Sequence, residues 1–257
     1  KVIRVDIDPV EQIRSAKPEV GIVARVQDAI GPLVDAVAKS NSVRASRQEE
    51  MEAVKAEFAE RMAYLQPQLS YINAIRDVLP DDGILVDEMT QVGYSARFAF
   101  PVYQPRTYIT CGYQGTLGYG FATSLGVKAA HPDKPVVSVN GDGGFMFAVQ
   151  ELSTAVKHNL NTVTLVFNDN TFGNVQRMQK KLYNNRVIAT DLHNPDFVKL
   201  AESFGVKGVR AHSADELRTA LEQGFAHNGP TLIEIPVGEM PDASALYLTA
   251  KNRGVKK

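Results

Sequence analysis

The chain has 257 residues, of which 44% are hydrophobic and 22% are charged, and its formal net charge is −1. This is the composition of an ordinary globular protein. It excludes a global basic field for nucleic acid or anionic lipid, and no apolar run reaches the roughly 18 to 20 residues of a membrane-spanning helix. The single cysteine, Cys111, excludes an internal disulfide framework and indicates a reducing compartment, which we expect to be the cytoplasm.

The first 40 residues are predicted to form a short α/β segment that cannot bury a core of its own. Alternation in residues 1–7 is typical of a strand, which ends at Asp8-Pro9. Apolar residues at helical spacing predict a helix from about 22 to 38. We therefore expect residues 1–40 to be the carboxyl-terminal remnant of a central α/β domain, in a chain that is a piece of something longer. Residues 41–66 are charged, with only a thin apolar stripe, and predict a linker helix.

Short β-branched runs alternate with helical segments between residues 67 and 242, which we expect to form one domain. The predicted strands are 84–87, 107–110, 136–140, 162–167, 206–210 and 231–237. Nearly continuous apolar strands separated by helices indicate an α/β fold, a doubly wound parallel sheet with helices on both faces. Asn194 before Pro195 predicts a helix N-cap, and Ser213 with Glu216 predicts a capping box. Residues 243–257 are a tail with no predicted role.

A glycine-rich acidic loop follows the predicted strand 136–140. It contains Gly141, Asp142, Gly143 and Gly144. Ligands of parallel sheets bind at the carboxyl ends of the strands, and glycine lets the backbone approach a ligand closely. The loop suits a cation held by Asp142 and phosphate oxygens facing the amides of Gly143 and Gly144.

A second polar loop, 168–173, follows the next strand along the chain. A right-handed crossover through a helix at 148–159 would place it beside the first loop. Its oxygen-bearing side chains, without clustered histidines or thiolates, favour Mg²⁺ or Ca²⁺ over zinc. Alone, each loop is compatible with a tight turn or a helix cap. Together, directly after consecutive strands and 27 residues apart from Asp142 to Asp169, they predict a site for a metal ion and an anion.

Gly-Asp-Gly followed at this spacing by Asn-Asn or Asn-Asp is the signature of thiamine-diphosphate-dependent enzymes. The chain resembles their acetohydroxyacid synthase branch and its 2-oxo acid decarboxylase relatives. Residues 67–240 resemble the carboxyl-terminal, diphosphate-binding domain of that family, and residues 2–9 resemble the end of its central domain. The resemblance implies thiamine diphosphate and Mg²⁺ as cofactors.

The resemblance also implies roles for individual residues. The metal ligands would be Asp142, Asp169 and the backbone carbonyl of Thr171. Asn is commoner than Asp at position 169, so Asn168 or Asn170 stays open as a substitute for Asp169. The implied contacts with the cofactor come from Gly141, Asp142, Gly143, Gly144, Thr90, Gln91, Gly115, Leu117, Phe172 and Gly173.

Four of these residues have specific implied roles, and three of the four also have an open alternative. Leu117 would lie beneath the cofactor and force its bent conformation, and the carbonyl of Gly115 would accept a hydrogen bond from the amino group on the cofactor's pyrimidine ring. Leu117 is also compatible with an ordinary core leucine. Thr90 and Gln91 would donate to diphosphate oxygens, and their alternative is a surface loop with a helix cap.

The implied function is that of a carboligase or lyase acting on small-molecule 2-oxo acids, similar to acetolactate synthase. The alternatives are a simple 2-oxo acid or acyl-CoA decarboxylase of the same family, and a non-catalytic nucleotide- or phosphate-binding module. In the family the activating glutamate lies on an amino-terminal domain. We therefore assign no catalytic residue here, do not promote Glu88 to a general base, and expect the chain alone to be inactive.

The remaining expectations concern partners and one arginine. The family resemblance implies a homodimer or homotetramer of the full-length protein, and we expect neither nucleic acid nor a membrane as partner. Arg177 is compatible with contact to a substrate carboxylate, but an exposed helical arginine is the simpler interpretation.

Overall fold

The computed structural model describes residues 1–14, 16–42, 45–112 and 114–246. The chain divides into two units, Lys1–Glu57 and Phe58–Lys257. Tyr113, in the glycine-containing loop before Leu117, lies outside the described residues, and so does the part of the expected tail from 247 to 257.

The described residues of the first unit include two parallel strands and the helix that follows them. Strand β1 (Ile3–Asp6) pairs with β2 (Val20–Val23), and helix α1 (Val26–Ser40) follows. The predicted helix start near residue 22 is wrong, because Ile22 pairs with Val5 in the sheet. The β-branched run of β2 precedes the helical pattern without a break in hydrophobicity. Helix α2 (Gln48–Met62) lies within the expected linker and contains the limit between the two units.

The second unit alternates helices with strands. Its elements are α3 (Gln68–Val78), β3 (Ile84–Asp87), α4 (Gln91–Ala99), β4 (Tyr108–Ile109), α5 (Tyr119–Ala130), β5 (Val136–Gly141), α6 (Asp142–Met146), α7 (Leu152–Lys157), β6 (Thr162–Asn168), α8 (Gly173–Leu182), α9 (Phe197–Ser203), β7 (Lys207–Arg210), α10 (Ala214–Ala226) and β8 (Thr231–Pro236). Within the described residues, β3 to β8 form one parallel sheet in the order β4-β3-β5-β6-β8-β7. None of the described helices combines the length and the apolar character that crossing a membrane requires.

Helices cover both faces of this sheet, which confirms the predicted fold class. Alternate strand residues enter two different apolar clusters, because successive side chains point to opposite faces. One face packs against α3, α4 and α10, with strand residues Leu85, Val137, Val139, Val163, Leu165, Phe167, Ile233 and Ile235. The other packs against α5, α7 and α9, with strand residues Ile84, Val86, Val136, Val166 and Leu232. The site loops therefore follow strands β3, β5 and β6, which are buried along almost their whole length.

Two local predictions are wrong at the ends of helices. The helix after β5 is not one element at 148–159: α6 begins directly at Asp142, and a 3-10 turn (Val149–Glu151) precedes α7. Asn194 does not cap α9, because the side chain of Asp196 accepts hydrogen bonds from the first amides of that helix. The cap at Ser213 is confirmed, since its hydroxyl accepts from the amide of Glu216 at 3.2 Å.

Candidate functional site

A cavity of about 210 Å³ lies at the carboxyl ends of the adjacent strands β3, β5 and β6. All the residues expected at the site line it. They are Thr90, Gln91, Gly115, Leu117, Gly141, Asp142, Gly143, Gly144, Asp169, Thr171, Phe172 and Gly173. The parallel pairing of β5 with β6 brings the two polar loops together, as their position after consecutive strands predicts.

Asp142 is buried directly after the carboxyl end of β5. Its Oδ1 accepts a hydrogen bond from the Gly143 amide at 2.9 Å, and its Oδ2 accepts one from Asn194 Nδ2 at 2.6 Å. Burial raises the pKa of Asp142 to about 6; the Gly143 amide opposes this shift, and the charge of Asp169 adds to it. The two carboxylates are thus close enough to repel each other, and a cation between them would relieve that repulsion.

Hydrogen bonds from Thr171 hold the side chain of Asp169. Its Oδ1 accepts from both the amide and the hydroxyl of Thr171, each at 3.0 Å. Burial raises the pKa of Asp169, and the bonds from Thr171 oppose that shift. The other oxygen, Oδ2, lies 3.0 Å from the point where a Cβ on Gly173 would stand, and Gln91 Nε2 lies 3.6 Å from that point. Because residue 173 is glycine, the Asp169 carboxylate and the Gln91 side-chain amide can both lie close to its backbone.

The neighbouring asparagines are engaged away from the cavity. Asn168 donates from Nδ2 to Glu234 Oε1 at 2.8 Å, while its Oδ1 accepts from Asn194 Nδ2 at 3.0 Å. Asn170 is exposed and adopts a left-handed conformation with φ 57°. Neither lines the cavity. Both are therefore poorly placed to replace Asp169.

Asn194 is a site residue that the sequence interpretation missed. Its Nδ2 lies 2.6 Å from Asp142 Oδ2, 3.0 Å from Asn168 Oδ1 and 3.3 Å from Asn170 Oδ1. The available signal was the presence of two cap-forming residues, Asn194 and Asp196, before one helix. Only one can cap, which leaves the other side chain for another role.

Asp142 and Asp169 are the acidic side chains in the described lining of the cavity. Among the described residues, no three His, Cys, Asp or Glu side chains converge as a metal site. The described lining of the cavity also contains no Lys, Arg or His. Further ligands of a metal ion held by Asp142 and Asp169 would come from backbone carbonyls, an anion or water.

Comparison with known proteins identifies the family. Residues 89–235, more than half of the chain, match the sequence model of one protein family. That family is described as "Thiamine pyrophosphate enzyme, C-terminal TPP binding domain". The chain belongs to this family. The predicted family and the predicted cofactor, thiamine diphosphate (thiamine pyrophosphate), are thereby confirmed.

Individual relatives agree with this assignment. The acetolactate synthase large subunit of Haemophilus influenzae is 33% identical over 249 residues, covering 93% of this chain and 43% of that protein. The acetolactate synthase of Bacillus subtilis is 39% identical over 171 residues, covering 66% of this chain and 30% of that protein. The thiamine diphosphate-dependent 4-hydroxybenzoylformate decarboxylase of Rhodococcus jostii RHA1 has the same fold, with a TM-score of 0.73 at 24% identity over 93% of this chain and 44% of that one. The chain thus spans less than half the length of these relatives.

Glu88 supports the thiamine diphosphate domain from outside the cavity. Its fully buried carboxylate accepts hydrogen bonds from the amides of Gly118, at 2.7 Å, and Gly120, at 3.2 Å. Burial raises the pKa of Glu88 to about 7; the two amides oppose the shift, and the charge of Asp87 adds to it. Gly118, at φ 83°, turns the chain into α5 directly after Leu117. Glu88 therefore anchors the loop that carries Leu117, and it does not line the cavity.

Arg177 is neither exposed nor directed at the cavity centre, so the prediction of an exposed helical arginine is wrong. Its side chain is 11% exposed. It donates from Nη1 to Gln91 Oε1 at 2.8 Å and from Nη2 to the Met240 carbonyl at 2.7 Å, and it lies 3.6 Å from Asp242. Arg177 thus connects Gln91, which lines the cavity, to the segment after β8.

Proposed function

We propose that this chain is the diphosphate- and Mg²⁺-binding portion of a carboligase or lyase that acts on 2-oxo acids in the manner of acetolactate synthase. One observation carries the proposal: Asp142 and Asp169, at the ends of two paired strands, line one cavity whose described lining contains no basic side chain. Two carboxylates repel a diphosphate. A divalent cation attracts both the carboxylates and the diphosphate, so it would join them.

The donor set fits a magnesium ion. We assign Asp142, Asp169 and the backbone carbonyl of Thr171 as ligands, because Mg²⁺ prefers hard oxygen atoms. Asp169 is favoured over Asn168, whose amide group is already bonded to Glu234 and Asn194. Two carboxylates strengthen the attraction for the metal, although they slightly oppose the diphosphate.

The glycine-rich loop packs closely against the second polar loop. A Cβ on Gly143 would meet the ring of Phe172 at 2.4 Å, so glycine at this position lets the two sides of the cavity come together. We assign the amide of Gly144 and the polar groups of Thr90 and Gln91 to the diphosphate. The amide of Gly143, expected from the sequence to face the phosphate, donates to Asp142 Oδ1 instead. The residues Gly141, Phe172 and Gly173 complete this end of the site.

Leu117 and Gly115 are assigned to the other end of the cofactor, which they would hold in its bent conformation. Both line the cavity, and Leu117 is half-buried. When bound, thiamine diphosphate supplies the carbanion chemistry that breaks or forms a bond at a carbonyl carbon. The residues of this chain bind and orient it.

The substrate class and the assembly are proposed from the relatives. The relatives from Haemophilus influenzae and Bacillus subtilis are named acetolactate synthases, which supports a small 2-oxo acid as substrate. We further propose that the full-length protein is a homodimer or homotetramer of the cytoplasm, in keeping with its single free cysteine. Product analysis of the full-length protein would distinguish acetolactate-type products from the free aldehyde of a simple decarboxylase.

Thermal melting tests the proposed function directly. Mg²⁺ with thiamine diphosphate should raise the melting temperature by about 5 to 10 °C near a hundredfold excess over the dissociation constant. Mg²⁺ with ATP or with NAD should not. The variant Asp142→Asn should lose the shift, whereas Asp133→Asn, an exposed acid before β5, should keep it. Equal stabilisation by ATP or NAD would support a general nucleotide- or phosphate-binding module.

A further inference from the structure

We propose that Asn194 is a positioning residue that fixes the metal-binding carboxylate of Asp142 and the loop that begins at Asn168. The inference rests on the proposed function, in which Asp142 and Asp169 hold Mg²⁺. It assigns a role to a residue that does not line the cavity.

Hydrogen bonds hold the Asp142 carboxylate in one orientation. Its Oδ1 is bonded to the Gly143 amide at 2.9 Å, and its Oδ2 to Asn194 Nδ2 at 2.6 Å. The backbone amide of Asn170 also donates to this carboxylate, so donors on both of its oxygens and from both loops orient its plane. The Gly143 amide belongs to the same turn as Asp142. Asn194, 52 residues further along the chain, is the side chain that ties the carboxylate to another part of the fold.

Asn194 also links the two polar loops of the site. Asn194 Nδ2 also lies 3.0 Å from Asn168 Oδ1 and 3.3 Å from Asn170 Oδ1. One amide group thus faces oxygens that flank Asp169 on both sides and an oxygen of Asp142. Hydrogen bonds that orient metal ligands keep them in their binding geometry, and their loss typically lowers metal affinity 10- to 100-fold.

A chain of hydrogen bonds connects Asn168 to the segment that follows Asn194. Asn168 Nδ2 donates to Glu234 Oε1, and Arg210 Nε donates to Glu234 Oε2, each at 2.8 Å. Arg210 Nη2 in turn donates to Asp196 Oδ1 at 2.8 Å. Because Asp196 follows Asn194 by two residues, these bonds close a ring that returns to Asn194. Glu234 is buried, so the ring is shielded from water on that side.

Helix capping does not account for this arrangement. Asp196 accepts from the amides of Val198 and Lys199 and caps α9 without help from Asn194. The Nδ2 atom of Asn194 donates instead to Asp142, Asn168 and Asn170, in the two loops of the site. A role in metal binding is therefore the specific expectation, beyond a contribution to stability.

The test compares Asn194→Ala and Asn194→Leu with wild type and with Asn228→Ala. Leucine keeps the side-chain volume without the donor, and Asn228 is an exposed asparagine between α10 and β8. Mg²⁺ is titrated by calorimetry into each protein with thiamine diphosphate in excess. Melting of the metal-free proteins is measured in parallel.

We expect the Mg²⁺ concentration for half-saturation to rise 10- to 100-fold in at least one folded variant at position 194. Asn228→Ala should behave as wild type. The inference is overturned if both variants at position 194 bind Mg²⁺ like wild type, including the case in which they only melt at lower temperature. If wild type itself shows no Mg²⁺-dependent cofactor binding, the proposed function fails and the inference fails with it.

Discussion

The carboxylate of Glu88 is packed against the backbone of Gly144, so that a Cβ on Gly144 would lie 2.0 Å from Glu88 Oε1. Gly144 belongs to the loop that holds Asp142, and Glu88 anchors the loop that holds Leu117 through the amides of Gly118 and Gly120. One buried acid therefore connects both ends of the cofactor site.

Gly144→Ala should destabilise the protein. The added methyl group must displace a fully buried carboxylate, and overpacking of this kind typically costs about 1 to 3 kcal/mol. Gly126→Ala is the matched control: Gly126 lies exposed in α5, where a Cβ meets nothing within 4 Å. That change should leave the free energy of unfolding unchanged or raise it by up to about 1 kcal/mol. Urea unfolding measures both; equal free energies of unfolding in the two variants would contradict the close packing at Gly144.

Glu88→Gln should remove a pH dependence of stability. Folding raises the pKa of Glu88 from 4.5 to about 7, so between these values the folded state binds the proton more strongly than the unfolded state. Protonated Glu88 therefore stabilises the folded state at low pH. This contribution to the free energy of unfolding, at most about 3 kcal/mol, is lost as the pH rises from 4.5 through about 7. Urea unfolding at pH 5 and pH 8 should show a larger loss in wild type than in Glu88→Gln. Parallel losses would mean that Glu88 does not titrate in this way.

Arg177→Met should destabilise the protein by about 2 kcal/mol. The change removes hydrogen bonds from a guanidinium to Gln91 and to the Met240 carbonyl, and bonds to charged groups typically contribute about 1.5 to 3 kcal/mol each before solvent screening. Lys180→Met is the control, because Lys180 is exposed and lies 3.9 Å from Glu239, so it should change stability by less than about 0.5 kcal/mol. Chemical denaturation compares the two, and similar effects would show that the Arg177 bonds contribute little.

Asp169→Ala should abolish Mg²⁺-dependent cofactor binding, whereas Asn170→Gly should retain it. Asp169 lines the cavity and Asn170 does not. Glycine at position 170 tolerates the backbone φ of 57° without strain. Calorimetric titration of Mg²⁺ in the presence of thiamine diphosphate distinguishes the two residues. Loss of binding in Asn170→Gly with retention in Asp169→Ala would transfer the ligand role to Asn170.

Local sequence patterns are sufficient for much of this fold. Alternating strand and helix periods predict a parallel sheet, and they place the loops at 141–144 and 168–173 at the ends of consecutive strands. The adjacency of β5 and β6 follows from the handedness of their crossover. These features depend on short stretches of chain and on general rules of connection.

The missed features depend on contacts between distant residues. Strand β2 was hidden because its pairing with β1 is tertiary, while its β-branched residues continue smoothly into a helical pattern. Asn194 has the local context of a helix cap, and its partners lie 24 to 52 residues away. Arg177 reaches Gln91 across 86 residues. No period or turn rule encodes such side-chain hydrogen bonds.

The central claim is that a metal ion held by Asp142 and Asp169 binds thiamine diphosphate. It is tested most directly by calorimetric titration of thiamine diphosphate into the chain with Mg²⁺ and again with a chelator. The account predicts saturable binding with Mg²⁺ that disappears with the chelator and in Asp142→Asn. Binding of equal affinity in the chelator, or in Asp142→Asn, would contradict it.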